Sequence, residues 1–270
     1  MSDSGMTQPA VHTHQLTKRF GTFEAVHALN ISIPYGQISG MLGPNGAGKS
    51  TTIKMLTTLL DPTEGSATVA GFDIRTHPVE VRRRIGYVPQ LLSADGALTA
   101  FENMMLSARL YGMPRRESQD RINEALRFMK LENQAHQPTR TFSGGMIRRL
   151  EIAQSLLHRP TVLFLDEPTI GLDPVARHMV WDRLKQLQDE LGLTVLMTTH
   201  DMEEAEALCD TLILVHKGKS ICGKPAELKS AVRPGATLND VFVHFCGGTL
   251  QEEGGFKSVR ETRRNVQLRG

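Results

Sequence analysis

The sequence predicts an α/β fold: parallel βαβ units under helical cover, entered through an antiparallel β portion and interrupted by an inserted helical stretch. Three observations predict it. Turn-punctuated β-rich segments fill the first third, strand and helix patterns alternate after Ser143, and a glycine-rich loop joins an apolar strand to a helix-compatible run. The chain has 270 residues, 40% apolar and 22% charged, which is ordinary usage with ample material for a core. Lys and Arg number 31 against 29 Asp and Glu, a formal net charge of only +2, so a nucleic-acid binder driven by bulk charge is not expected.

The elements follow in order. Strand patterns occupy 11–16, 25–33 and 37–42, with Pro34, Tyr35 and Gly36 turning between the last two. A further strand, 66–70, follows the turn-formers of 61–65, and another covers 85–89. From about 101 to 130 the texture is helical, because Phe101, Met104, Met105 and Ala108 fall at i, i+3, i+4 and i+7. Beyond Ser143 come a helix to about His158, a strand 161–165, a helix 174–191, a strand 194–198, a helix 201–209 and a strand 211–215. Residues 1–9 read as a polar lead, 10–235 as the main domain with its helical part at about 98–158, and 236–270 as an extension ending in a loose tail from Thr249. The longest uncharged run, 25–48, holds two prolines and five glycines, which a bilayer-spanning helix would not carry together. The start lacks the basic and apolar segments of an export signal. Cys209, Cys222 and Cys246 are odd in number and unpaired in spacing, so a reducing, cytosolic setting is expected rather than a disulfide frame or zinc site.

Gly43, Pro44, Asn45, Gly46, Ala47, Gly48, Lys49, Ser50 and Thr51 match G-x-x-x-x-G-K-[ST] in a strand–loop–helix context. Such a loop turns successive backbone N–H groups toward an anion, and the helix end adds partial positive charge. Lys49 is expected to reach terminal phosphates and the Ser50 hydroxyl to ligate Mg²⁺. The apolar run 162–165 then delivers Asp166 and Glu167 to the same edge of a parallel sheet. Asp166 suits a metal shell, and Glu167 suits a base for an attacking water. Ser143, Gly144 and Gly145 open an apolar-periodic helix, with Ser143 at a natural N-cap; alone, that is an ordinary structural cap.

Taken together, these motifs resemble the ATP-binding-cassette ATPases across about 10–225. Phe142, Ser143, Gly144, Gly145 and Met146 stand where that family carries Leu-Ser-Gly-Gly-Gln. The resemblance implies a phosphate-loop NTPase core with an N-terminal antiparallel β portion and an inserted helical subdomain, as well as further roles. Gln90 would touch Mg²⁺ and water, Gly171 to Pro174 would contact a dimer partner, His200 would contact the γ-phosphate, and Phe20 would stack on adenine. Catalysis would then fall to Glu167, His200 and Lys49; the nucleotide to Phe20, 43–51 and 143–145; and Mg²⁺ to Ser50, Gln90 and Asp166.

Phe142 and Met146 are similar to the type-2 exporter branch, which includes daunorubicin-resistance-like and nodulation-type ATPases. So are the segments 98–103 and 237–242, the latter also readable as a capped short helix over the core. The implied function is ATP binding and hydrolysis powering a separate integral-membrane permease, most simply an exporter of drugs, lipids or other amphiphiles. The chain would act as a head-to-tail homodimer around two ATP, peripheral on the inner face of the membrane, with no nucleic acid. The alternatives are an importer ATPase, or a soluble cassette ATPase of translation or repair. One motif set and only about ninety residues between Lys49 and Ser143 count against the last.

Four other features have bland readings. Asp201, Glu203, Glu204 and Glu206 read as a solvated first helical turn. Arg82 to Arg84 and Arg148–Arg149 read as solvated faces or acid partners. Trp181 is expected in the core, as are Met104 and Met105, although a groove for a permease helix is a second reading of the methionines.

Overall fold

A computed structural model describes residues 8–247, so the expected tail from Thr249 and the lead through residue 7 lie outside the described residues. Strand β1 (Val11–Phe20) is central to the first sheet, pairing antiparallel with β2 (Phe23–Leu29), β3 (Ser32–Ile33) and β5 (Glu64–Val69); β6 (Phe72–Asp73) extends the edge. The second sheet has the order β11-β10-β4-β9-β8-β7, built from β4 (Ile38–Leu42), β7 (Ile85–Val88), β8 (Val162–Asp166), β9 (Thr194–Thr199), β10 (Thr211–His216) and β11 (Lys219–Gly223). All its pairings are parallel except β10 with β11. Every residue of β4, β8 and β9 is buried, as expected of parallel strands covered on both faces.

That sheet separates two cores, because alternate side chains point to opposite faces. Leu42, Leu163, Leu165, Val195 and Met197 face a helical layer made of α3 (Ala100–Leu110), α4 (Arg115–Phe128), α5 (Gly144–Leu156), α6 (Pro174–Leu191), α7 (Met202–Leu208) and α9 (Leu238–Cys246). Met41, Val162, Phe164, Leu196 and Ile213 face the other way, onto the antiparallel sheet, α1 (Lys49–Leu56) and α2 (Pro78–Arg84). Helix α8 (Pro225–Val232) packs beside α9.

The helical stretch expected over about 101–130 is two helices, α3 and α4. Thr99 and Glu102 form a capping box that starts α3, and the chain breaks before Pro114, which cannot continue a helix but caps α4. The expected strand 25–33 is likewise divided into β2 and β3. Thr237 and Asp240 form a capping box on α9, and Leu238, Val241 and Phe242 enter the core. Trp181 and Met104 are buried, while Met105 is half-buried against the same core.

Two expectations are corrected. Arg148 and Arg149 are both buried: Arg148 takes the acid-partner reading by binding Glu151, while Arg149 has neither a solvated face nor an acid partner and donates to Met129 O at 2.7 Å. Glu204 is also buried, where its Oε1 accepts from Thr169 Oγ1 at 2.7 Å and Trp181 Nε1 at 3.0 Å. Arg148 and Glu204 both find partners on the inward side, which is what makes their burial tolerable.

Candidate functional site

Strands β4, β7, β8 and β9 run parallel, so the segments leaving their carboxyl ends meet along one edge. The first is the loop from Gly43 to Gly48. Gly48 occupies the N-cap of α1 with φ of +92°, and a Cβ there would lie 2.3 Å from Ala25 O. Only glycine meets both demands. No side chain caps this helix, and the backbone N–H groups of Gly46, Gly48, Lys49, Ser50 and Thr51 donate to no protein acceptor. Five free donors at a helix start make a cradle for an anion.

Lys49 is buried inside the loop, its Nζ donating to Gly43 O (2.7 Å) and Pro44 O (3.2 Å). Burial lowers its pKa, and the charges of Glu167 and Asp166 oppose that shift. Ser50 Oγ donates to Asp166 Oδ1 at 3.0 Å, and Thr198 Oγ1 donates to the same oxygen at 2.6 Å. Thr198 was not singled out in the sequence, where a threonine reads only as a good strand former. Its hydroxyl also accepts from the Glu167 N–H at 2.9 Å. One threonine thus locks both acids.

Glu167 has φ of +49°, an uncommon backbone for a residue with a side chain. This geometry turns its carboxylate between two other loops. Oε2 accepts from Gln90 Nε2 at 3.1 Å, and Oε1 lies 3.3 Å from His200 Nδ1. The structure therefore brings Lys49, Ser50, Gln90, Asp166, Glu167 and His200 together. Ser50, Asp166 and Gln90 offer hydroxyl, carboxylate and amide oxygens, the hard donor set that suits Mg²⁺. No group of three or more His, Cys, Asp or Glu side chains that could hold a metal occurs among the described residues, the acidic turn of α7 included. There Asp201 caps the helix and pairs with Arg177 at 2.7 Å.

Phe20 lies exposed at the β1–β2 hairpin, opposite Phe23, with Lys18 Nζ 5.2 Å from its ring centre. A cavity of about 580 Å³ beside the loop is lined by Phe23, Ala25 and Pro44 to Ala47, but not by Phe20. Phe23, rather than Phe20, is thus the aromatic lining that cavity.

Ser143 caps α5, accepting from Met146 N at 3.3 Å. Gly145 backs onto α6, where a Cβ would come 2.6 Å from Ala176 Cβ, and Gly144 is open but for Leu172. This element therefore adjoins Gly171 to Pro174. Among the described residues no hydrogen bond joins Ser143, Gly144 or Gly145 to the 43–51 loop.

Three comparisons bear on this arrangement. The family described as ABC transporter matches residues 26–170. The Nod factor export ATP-binding protein I of Ralstonia nicotianae is 45% identical over 221 residues, covering 82% of this chain and 68% of that protein. The daunorubicin/doxorubicin resistance ATP-binding protein DrrA of Streptomyces peucetius is 44% identical over 229 residues, 84% and 69% of the two chains. Among solved structures, a dimeric ATP-binding cassette in a post-hydrolysis state with ADP and Pi is similar at a TM-score of 0.71 and 29% identity, over 79% of this chain and 98% of that one.

Proposed function

The chain belongs to the ABC transporter family, as an ATPase domain, and from that premise we propose that it binds and hydrolyses ATP to power a separate membrane permease working as an exporter. The observation that carries the catalytic reading is the placement of Glu167 between Gln90 and His200, across from a loop with five free N–H donors. Residues 43–51 hold the phosphates, Lys49 turning from two loop carbonyls to the terminal oxygens. Glu167 takes the proton of the attacking water, Gln90 and His200 fix the carboxylate, and His200 meets the γ-phosphate. Ser50, Asp166 and Gln90 hold Mg²⁺, which when bound neutralises charge on the phosphate oxygens. Phe20 stacks on the base, with Phe23 at the loop's flank.

The relatives named for export of Nod factors and for resistance to daunorubicin and doxorubicin support the exporter direction and an amphiphilic cargo. Residues 10–235 serve as the nucleotide-binding domain, about 98–158 as its helical subdomain, and 236–270 as an extension. The dimeric neighbour supports pairing of two copies. We place them head to tail, so that Ser143, Gly144 and Gly145 of each copy close over the ATP of the other. No helix among the described residues is long and apolar enough to cross a membrane. We assign attachment to the inner face to the permease.

The reading is tested by Glu167→Gln. Turnover is expected to fall about 10²–10⁴-fold, the usual worth of a general base, with ATP affinity kept. Lys49→Ala should instead lose nucleotide affinity. Full turnover in the Gln variant would remove Glu167 from the chemistry.

A further inference from the structure

The segment after β7 is held by side chains from α5. Arg148, in the second turn of that helix, is 2% exposed, and its guanidinium donates to Pro89 O (2.7 Å) and Gln90 O (2.8 Å). It also donates to Glu151 Oε2 at 3.1 Å. Glu151, equally buried, accepts through Oε1 from the N–H of Ser93 and from its Oγ at 3.1 Å. Residues 89–93 are thus gripped on both sides of Gln90. The segment has little apolar anchorage of its own, since Leu91 and Leu92 are exposed.

A buried Arg–Glu pair is a weak source of stability, because desolvation offsets most of the attraction. Burial lowers the Arg148 pKa here, opposed by the charges of Glu151 and Asp166. What the pair does supply is placement. The planar guanidinium fork binds two successive carbonyls, and one of them belongs to the residue whose amide donates to Glu167.

We propose that Arg148 and Glu151 are positioning residues that hold the 89–93 segment so that Gln90 engages Glu167, tying the helix headed by Ser143 to the reacting edge. This rests on the ATPase reading of that edge. A shift of α5 carries the Arg148 fork with it and draws the Gln90 amide away from the carboxylate. The Ser143 cap and the base in one chain are then linked through one buried ion pair.

The test uses the full chain and the variant Arg148→Lys, which keeps a charge beside Glu151 but loses the fork. Expected is a fall in kcat of about 10-fold or more, the worth of a charge-assisted hydrogen bond, with ATP Kd within about twofold of the parent. The deciding measurement adds Gln90→Ala. If Arg148 acts through Gln90, Arg148→Lys costs nothing further in the Gln90→Ala background. The same loss in both backgrounds, or no loss in either, overturns the proposal. Should the lysine variant not fold, Glu151→Asp, which shortens the reach to Ser93, is read by the same cycle. Failure of the underlying site looks different: Gln90→Ala and Glu167→Gln would then both leave turnover unchanged, and the proposal would fall with it.

Discussion

Two helices in this molecule begin at glycine-rich turns, and they begin differently. Helix α1 starts at Gly48, left-handed and uncapped, with five N–H groups free and a lysine folded among them. Helix α5 starts at Ser143, extended, whose own hydroxyl takes the Met146 N–H and leaves only the Gly144 and Gly145 donors open. The glycines differ in purpose too. Gly48 is required by its backbone and by Ala25 O, whereas Gly145 has ordinary helical backbone and is required because Ala176 stands against it. The first end offers five free donors to an anion; the second is finished locally by its own cap and offers two. Similar residues thus serve two tasks, told apart by which donors the protein has already spent.

The comparison breaks most sharply in a mixing experiment. Lys49→Ala and Ser143→Arg should each be inactive alone. If Ser143 serves the partner's ATP, mixed dimers restore about a quarter of all sites under random pairing. Mixed dimers shown to form but inactive would return both helix ends to one nucleotide. Next in size is Gly48→Ala, expected to lose about 2–5 kcal/mol from left-handed backbone and overlap together, with ATP affinity collapsing. Its counterpart Gly144→Ala meets only Leu172 at 3.5 Å and should stay within about 0.5 kcal/mol of the parent by thermal unfolding. Ser143→Ala removes the cap and should cost about 1 kcal/mol in stability, leaving ATP affinity of the single chain unchanged.

The smallest effect concerns Glu204, behind the Glu167 loop. Burial raises its pKa, and Asp201 adds to the shift, against hydrogen bonds from Thr199, Thr169 and Trp181. A carboxyl raised in the folded state contributes its full stability below its unfolded pKa and loses it as pH rises through the folded one. Glu204→Gln should therefore have the higher Tm at neutral pH and converge with the parent near about pH 4. An equal difference at both pH values would remove titration as the cause.

The buried strands were legible because parallel strands covered on both faces are continuous apolar runs; β8 and β9 begin and end within a residue of expectation. Strand β11 was not, since it is an exposed edge with one large apolar side chain in five residues. The helical texture of 101–130 does not by itself show the break between α3 and α4, because the apolar period runs up to it; Gly112 and Pro114 are the residues that mark it. In the candidate site, the motif residues stand out because phosphate and metal chemistry needs rare combinations at fixed spacing. Their supports do not: Thr198 looks like any strand threonine, Phe23 like a hairpin aromatic, and Arg148 like a surface charge. Each is defined by what lies across the fold from it, which spacing along the chain does not encode.

The backbone of Glu167 has a consequence for how this molecule responds to selection. Its φ of +49° is held by the Thr198 grip on its N–H, and such a conformation costs a side-chain-bearing residue about 1–2 kcal/mol that glycine does not incur. Glycine at that position would remove the carboxylate proposed as the base while relaxing the turn. A library sorted only for heat resistance therefore weighs that relief against glycine's own backbone entropy, about 0.5–1 kcal/mol, and against the hydrogen bond lost from Gln90. Glu167 persists under such a sort only where the contacts of its carboxylate with Gln90 and His200 outweigh the strain of its backbone.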